Sequence, residues 1–313
     1  MSYPWLQAVE SEFAARLATG RSAHAYLLAG PLGTGKVELG RSFLAGLLCL
    51  EERYPACGNC RSCQLLKSGA HPEGQVVSFE PHPRKQDELR TEIVVDQVRR
   101  LTASLQLTNT ISRRKAAVLH PAEAMTIAAA NALLKTLEEP PGDAALVLVS
   151  HQPSRLPATI RSRCQALNVR LPERATALQW LRGQDGADLG DAEAALEAAA
   201  GSPLVALRML REGEVAAWHR LRETLQALRT GRSQPAAALG QLADVDPALL
   251  WTWLSLAAAA GLRESLAAPA AARHYAALQL EADRSRRLLP TPVRKDLLLQ
   301  DWLIQWTRVG RMA

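Results

Sequence analysis

The sequence predicts a parallel α/β domain built around a phosphate-binding loop, followed by a region made of helices alone. Three observations carry this expectation. The apolar run Ala25–Ala29 leads directly into Gly30-Pro31-Leu32-Gly33-Thr34-Gly35-Lys36, the strand–loop–helix spacing of a Walker A motif. Further apolar runs, Ala116–Leu119 and residues 144–149, alternate with stretches of helical periodicity, the pattern of a parallel sheet with helices on both faces. From Glu173 onward no strand pattern recurs. There are only Ala- and Leu-rich stretches broken by Gly183, Gly186, Gly201-Ser202-Pro203 and Gly231.

Taken in order, residues 5–19 read as an amphipathic helix, with Trp5, Leu6, Val9, Phe13 and Leu17 near helical spacing. In the loop that follows, glycines let the backbone curl so that its N–H groups face phosphate oxygens. The helix expected over residues 37–49 adds its positive end, and Lys36 reaches toward the β- and γ-phosphates. Gly30, Gly33, Gly35 and Lys36 are therefore the candidate nucleotide-binding residues. The motif asks for a Ser or Thr hydroxyl after the lysine to ligate Mg²⁺, and Val37 stands there instead. The loop can keep its shape and lose its metal.

A cysteine cluster comes next. Cys57-x-x-Cys60-x-x-Cys63 is compact, Gly58 and Asn59 supply a turn, and Cys49 lies at the end of the preceding helix. Four thiolates at this spacing can close a tetrahedral structural Zn²⁺ site with no open position for catalysis. Similar spacing also permits a [4Fe–4S] cluster, and His71 could replace Cys49 as a ligand. In a reducing compartment, metal binding is favoured over disulfides.

Residues 80–89 read as a polar, proline-bearing connection, after which Asp96 is placed to cap a helix carrying Val98, Leu101 and Leu105 inward. The strand Ala116–Leu119 ends in His120-Pro121. In P-loop enzymes this position carries an acidic residue that holds the Mg²⁺ and another that orients water. Neither imidazole nor proline suits those tasks, and Glu123 falls two residues late. Thr126 can cap a helix whose apolar face is Ile127, Ala130, Leu133, Leu134 and Leu137, stopped by Pro140-Pro141. Ser150 sits at the tip of the next strand.

Composition narrows the class. The chain has 313 residues, 48% hydrophobic, with a formal net charge of +6 spread along its length. That balance suits an acidic partner such as nucleic acid without demanding one. The start, Met1-Ser2-Tyr3-Pro4-Trp5, lacks the basic and apolar regions of a signal peptide. The most apolar segment, residues 249–262, is shorter than the ~18 residues needed to span a bilayer. A cytoplasmic location is expected.

At this point the residues carry a resemblance. Asn131-Ala132-Leu133-Leu134-Lys135-Thr136-Leu137-Glu138-Glu139-Pro140-Pro141 resembles the signature of the bacterial clamp-loader AAA+ family. Ser162-Arg163-Cys164 is similar to that family's Ser-Arg-Cys motif, and the four-cysteine module sits where theirs does. The resemblance implies a RecA-like AAA+ P-loop domain over 1–166 with the zinc module at 49–63. It further implies a small helical lid over 167–207 and an all-α C-terminal collar over 208–313, with Leu221, Leu225 and Leu228 packing one collar helix and residues 297–306 the last. It also implies that Arg163 points across a subunit interface at the γ-phosphate held by a neighbour. A trans arginine of this kind is worth on the order of 10³–10⁵ in rate. Cys164 beside it reads as a small buried hydrophobe.

Within the family the departures favour a non-hydrolysing member over a gamma/tau ATPase. Val37 replaces the metal-binding hydroxyl, His120-Pro121 replaces the acidic pair, and Leu204 stands where the ATPases carry a phosphate-sensing arginine. ATP and Mg²⁺ are therefore not expected to support hydrolysis, and Ser150, at the nucleotide-sensing position, is expected to be inert. The implied partners are gamma/tau ATPase subunits and a delta subunit, with the sliding clamp and primed DNA met through the complex. Two other readings are an autonomous AAA+ ATPase of the gamma/tau type, and a metal-dependent nucleic-acid-binding protein outside replication.

Overall fold

Three buried apolar runs form the centre of a parallel sheet, and the rest of the first unit is layered on its two faces. The computed structural model describes residues 3–82, 85–184, 191–289 and 291–309. They divide into two units, Met1–Thr176 and Ala177–Ala313. The strands of the first are β1 (Ala25–Ala29), β2 (Gly74–Val77), β3 (Pro81–His82), β4 (Lys85–Leu89), β5 (Ala116–Leu119), β6 (Ala145–Ser150) and β7 (Gln165–Asn168). Five of them run parallel in the order β2-β5-β6-β1-β7. The other two, β3 and β4, form a separate antiparallel hairpin within the stretch expected to be a plain connection.

Strands β1, β5 and β6 are buried along their whole length, which is why they read as continuous rather than alternating apolar runs. Their side chains divide between two layers. Tyr26, Leu28, Val118, Val147 and Val149 pack against Phe13 of α1 (Gln7–Ala18) and Leu39, Phe43 and Leu47 of α2 (Lys36–Leu48). Leu27, Leu119, Leu146 and Leu148 pack on the opposite face. There they meet Val98 and Leu101 of α4 (Val95–Leu105) and Leu133 and Leu137 of α5 (Ile127–Glu138). Two short helices, α3 (Arg61–Lys67) and α6 (Ala158–Arg161), complete the unit. Strand order and helix placement fit a RecA-like P-loop domain. In such a sheet the loops after β1, β5 and β6 all open at the carboxyl edge, where ligands bind.

Two local expectations are corrected. Asp96 lies inside the first turn of α4 rather than ahead of it. The orphan N–H at the start of that helix, on Val94, is taken by the Gln97 side chain reaching back at 3.0 Å. Ile127 was expected on the apolar face of α5 but is 83% exposed. It occupies the first helical position, and Ala129, Ala130, Leu133 and Leu137 form the buried stripe instead. The Thr126 cap stands as expected, its hydroxyl accepting from Ala129 N–H at 3.2 Å.

The second unit is helical throughout its described residues; Gly186 lies outside them. Its helices are α7 (Arg174–Arg182, which begins in the first unit), α8 (Ala192–Ala198), α9 (Pro203–Glu212), α10 (Val215–Arg229) and α11 (Pro235–Gln241). After them come α12 (Pro247–Glu264), α13 (Pro269–Leu288) and α14 (Lys295–Val309). Four of these start on a proline, whose missing N–H matters least at a first helical position. Leu221, Leu225 and Leu228 of α10 share one core with Trp251, Trp253, Trp302 and Trp306. Three buried indoles find carbonyl partners there: Trp253 with Ala198 at 3.1 Å, Trp302 with Leu278 at 2.9 Å, and Trp306 with Leu225 at 2.9 Å. The apolar residues 249–262 fall in α12. Among the described residues no helix is long and apolar enough to cross a membrane.

One buried carboxylate ties the start of the β2 strand to the loop before β5. Glu73 is 2% exposed. It accepts from Thr110 N–H at 2.7 Å, Thr110 Oγ1 at 2.8 Å, Ile111 N–H at 3.3 Å and Ser112 N–H at 3.4 Å. Burial works against its charge, but these donors hold the carboxyl below the ordinary carboxylate range. A lowered folded pKa means stability present at neutral pH and lost as the pH falls through the carboxyl's titration. Glu73→Gln should therefore lower stability at pH 7 by about 1–3 kcal/mol in urea denaturation, because at least one donor loses its acceptor. The gap from the unmodified chain should narrow below about pH 4.

Candidate functional site

The phosphate loop leaves β1 at Gly30, and the sheet itself demands glycine there. Val169 donates its N–H to Ala29 O at 2.7 Å, so the chain beyond β7 lies against the loop. A Cβ on Gly30 would overlap the Val169 carbonyl. Gly33 and Gly35 sit at φ of +69° and +83°, in the left-handed region that glycine enters without strain. Gly35 caps α2, and a Cβ on it would run into the ring of Tyr3.

Lys36 is 1% exposed. Its ammonium donates to the Pro31 carbonyl and, at 3.2 Å, to Thr34 Oγ1. Burial lowers its pKa to about 8, while Glu123 and Glu38 act in the opposite direction. Thr34 is also held from outside the loop, its carbonyl accepting from Trp5 Nε1 at 2.9 Å. Tyr3 stacks on Trp5 with ring centroids 5.2 Å apart. Val37, in the hydroxyl position, packs against the core on the α1/α2 face.

At the ends of β5 and β6 the residues are His120, Glu123, Ser150 and His151. Glu123 Oε1 accepts from the His151 backbone N–H at 2.9 Å, which ties the two strand ends together. Burial lowers the pKa of His120, helped by Arg41 and opposed by Glu38. Burial also lowers that of His151, helped by Lys36 and His120 and opposed by Glu123. Both imidazoles are therefore neutral at pH 7. His151 escaped sequence reasoning because it belongs to no motif; its only signal is its place just after a buried strand.

The four cysteines come together. Cys49 ends α2, Cys60 caps α3, Cys63 lies within α3, and Cys57 is in the loop between. Their sulfurs all lie within 4.8 Å of one another, with Cys57 and Cys63 3.9 Å apart. Thiolates around a single tetrahedral Zn²⁺ sit about 3.8 Å apart, given Zn–S bonds near 2.3 Å. Backbone N–H groups also point at the sulfurs: Cys57 N–H to Cys49 Sγ at 3.4 Å, Cys60 N–H to Cys57 Sγ at 3.4 Å, and Cys63 N–H to Cys60 Sγ at 3.5 Å. Such donors stabilise thiolate, and the residues fit a single ion. A four-iron cluster would spread the sulfurs over separate irons and need wider spacing.

His71 is not in this set. Its Nδ1 accepts from Glu73 N–H at 3.1 Å, which leaves the ring proton on Nε2, 2.8 Å from Ser62 Oγ. The Ser62 and Ser112 hydroxyls are 2.7 and 2.9 Å from the Leu48 carbonyl. This buried group fastens the cysteine module to the sheet.

Arg163 follows α6. It forms an ion pair with Glu138 at 2.6 Å and donates to Thr159 O at 2.9 Å. Its side chain is about one-third exposed, at 35%. Cys164 packs against the core on the α4/α5 face, where burial pushes its thiol up to about 12. A thiol kept protonated in this way is a poor nucleophile. Leu204 lies in the first turn of α9, in the second unit.

Comparison with known proteins places these features in company. The family profile described as "DNA polymerase III, delta subunit" matches residues 5–173. A Pseudomonas aeruginosa protein named DNA polymerase III subunit delta′ is 46% identical over 213 residues, covering 67% of this chain and 62% of its own length. A Yersinia pestis protein of the same name is 36% identical over 261 residues, covering 81% of this chain and 74% of its own. The chain thus spans less than two-thirds of the Pseudomonas protein. A solved gamma-subunit-related protein from Thermotoga maritima aligns with 98% of this chain and 100% of its own. Its TM-score of 0.45 at 15% identity is too loose to bear on the fold.

Proposed function

This chain belongs to the DNA polymerase III delta′ family, and we propose that it is the non-hydrolysing subunit of a clamp loader. In this role it helps place the sliding clamp on primed DNA during chromosomal replication, in the cytoplasm. One observation carries the reading: a phosphate loop of intact shape whose metal-organising positions hold groups that cannot organise metal. Val37 offers no lone pair and is half-buried against the α1/α2 core. His120 stands where a carboxylate is needed, and Glu123 is already engaged with the His151 backbone. An autonomous ATPase would need the Mg²⁺ ligands that these residues do not supply.

The partners in this reading are gamma/tau ATPase subunits and a delta subunit. In this reading the chain carries a P-loop domain (1–166 by sequence, carried to Asn168 by β7 of its sheet), then a small helical lid (to 207) and a helical collar (208–313). Cys49, Cys57, Cys60 and Cys63 hold one structural Zn²⁺, which supplies cross-linking of the module and no catalysis. Wild-type protein should contain one Zn²⁺ per chain by elemental analysis, and Cys60→Ser should lose it. The variant should also melt at a lower temperature, since the binding energy of a structural metal is folding energy. Iron in place of zinc, or no metal in either protein, contradicts the assignment.

Arg163 acts in trans on a nucleotide held by a neighbouring ATPase. Its partly exposed guanidinium, always charged and forked, suits the equatorial oxygens of a transferring phosphoryl group. In the isolated chain the Glu138 pair holds it. An ion pair this open to solvent is worth about 0–1 kcal/mol, so little stability opposes its release. Arg163→Ala should therefore leave the melting temperature of the chain and the composition of the assembled ring unchanged. DNA- and clamp-stimulated ATP hydrolysis by that ring should fall in part, because only the site facing this subunit is affected. Full ATPase activity in a correctly composed ring would rule out the trans role.

A further inference from the structure

The second unit carries a cleft of about 1050 Å³. Helices α10 and α12 supply most of its lining, with Tyr275 of α13 and Trp306 of α14. Gly261 of α12 makes room for Tyr275, because a Cβ there would fall 2.3 Å from the tyrosine ring. The lining has an aromatic core. Trp218, Tyr275 and Trp306 are 3%, 3% and 6% exposed. Trp218 meets Trp253 edge to face at 5.5 Å, and Tyr275 meets Trp306 in the same way at 5.6 Å. Trp306 also stacks on Trp302 at 5.2 Å.

Two features of the cleft are unfinished. Trp218 Nε1 is buried without a hydrogen-bond partner, whereas the Trp253, Trp302 and Trp306 indoles each reach a carbonyl. A buried donor left unpaired costs about 1–3 kcal/mol. The second feature is charge. Arg222 on the lining is paired with Glu197 at 3.0 Å, and His219 with Asp191 at 3.3 Å. Arg229 and Arg263 are exposed and have no such partner among the described residues, and Arg232 bonds only the Thr230 hydroxyl. Glu223 and Glu264 also line the cleft. Three guanidinium groups without an ion pair therefore stand beside two carboxylates.

We propose that this cleft receives a short peptide segment of another protein. Its leucine or aromatic side chains fill the apolar lining, and neighbouring aspartates or glutamates pair with Arg229, Arg232 and Arg263. The inference goes beyond the proposed role and rests on neither Arg163 nor the phosphate loop. Small-molecule pockets occupy about 300–1,000 Å³, and this cleft has room beyond that range. A peptide also brings a carbonyl at every residue, the acceptor type that the other three indoles already use and that Trp218 lacks. Single-stranded nucleic acid fits less well. It binds by stacking bases on open aromatic faces, and the rings here are buried against one another. Glu223 and Glu264 offset part of the attraction, so apolar burial supplies most of the affinity and the arginines select the sign of the partner.

The test is selection of a phage-displayed random peptide library on the full chain, with Ala260→Trp as the counter-target. Ala260 lines the cleft from α12 and is half-buried, so an indole at that position occupies the space. Selected peptides should join acidic residues to leucine or aromatic ones and should not bind Ala260→Trp. Labelled and titrated by fluorescence anisotropy, they should bind the double variant Arg229→Glu/Arg263→Glu about tenfold more weakly than wild type. Both arginines are exposed, so that variant should keep the wild-type melting temperature, and it carries the comparison if Ala260→Trp fails to fold. No enrichment, or a basic or uncharged consensus, overturns the inference. So do peptides that bind the arginine variant as tightly as wild type, since they sit elsewhere. Displacement of the peptide by an oligodeoxythymidylate at comparable concentration would assign the cleft to nucleic acid and overturn it as well.

Discussion

The arrangement depends on one constraint: β1 is paired in parallel on both sides, with β6 and with β7. The register places Ala29 opposite Ser150 on one side and Asn168 on the other. Because all five strands run the same way, the phosphate loop, His120 and Ser150 emerge at one edge. The same pairing carries Val169 against Gly30, which forces a glycine there whether or not a phosphate ever binds. Gly35 is held similarly by Tyr3, and Thr34 by Trp5. Contacts within the chain therefore maintain the loop's shape. Packing alone calls for Gly30 and Gly35.

A second anchor lies at the other, amino-terminal edge of the sheet. The end of α2, the cysteine module, the start of the β2 strand and the loop before β5 meet around the Leu48 carbonyl. Ser62 and Ser112 bond to it, His71 orients Ser62, and Glu73 gathers the loop's N–H groups. A serine, a histidine and a glutamate in contact could suggest hydrolytic chemistry. Here the side chains of His71 and Glu73 are each only 1% exposed, and every partner is structural. The group makes the cysteine module part of the domain.

The legible parts of the fold were those where one physical requirement dominates. Strands β1, β5 and β6 are buried on both faces and therefore spelled as unbroken apolar runs. Thr126 and the paired prolines after Glu139 bound α5 by side-chain capping and by a missing N–H. The strands β2 and β7, at the sheet's edges, were not legible. Each has at most one buried residue, and Gln75, Gln165 and Asn168 dilute their pattern. The same holds for the site. The loop and the cysteines have spacing that chemistry dictates, and Val37 and His120 could be read as departures from it. The Glu123 link to His151 and the Arg163 pair with Glu138 join residues distant in sequence. Only the assembled sheet brings them together.

The central claim is that this site keeps a phosphate cradle and has lost the means to organise Mg²⁺ for hydrolysis. Steady-state ATP turnover by the purified chain alone, with Mg²⁺ present, tests it most directly. The account predicts a rate indistinguishable from that of buffer. Turnover on the order of 1 s⁻¹, an ordinary enzyme rate, that disappears in Lys36→Ala would contradict it.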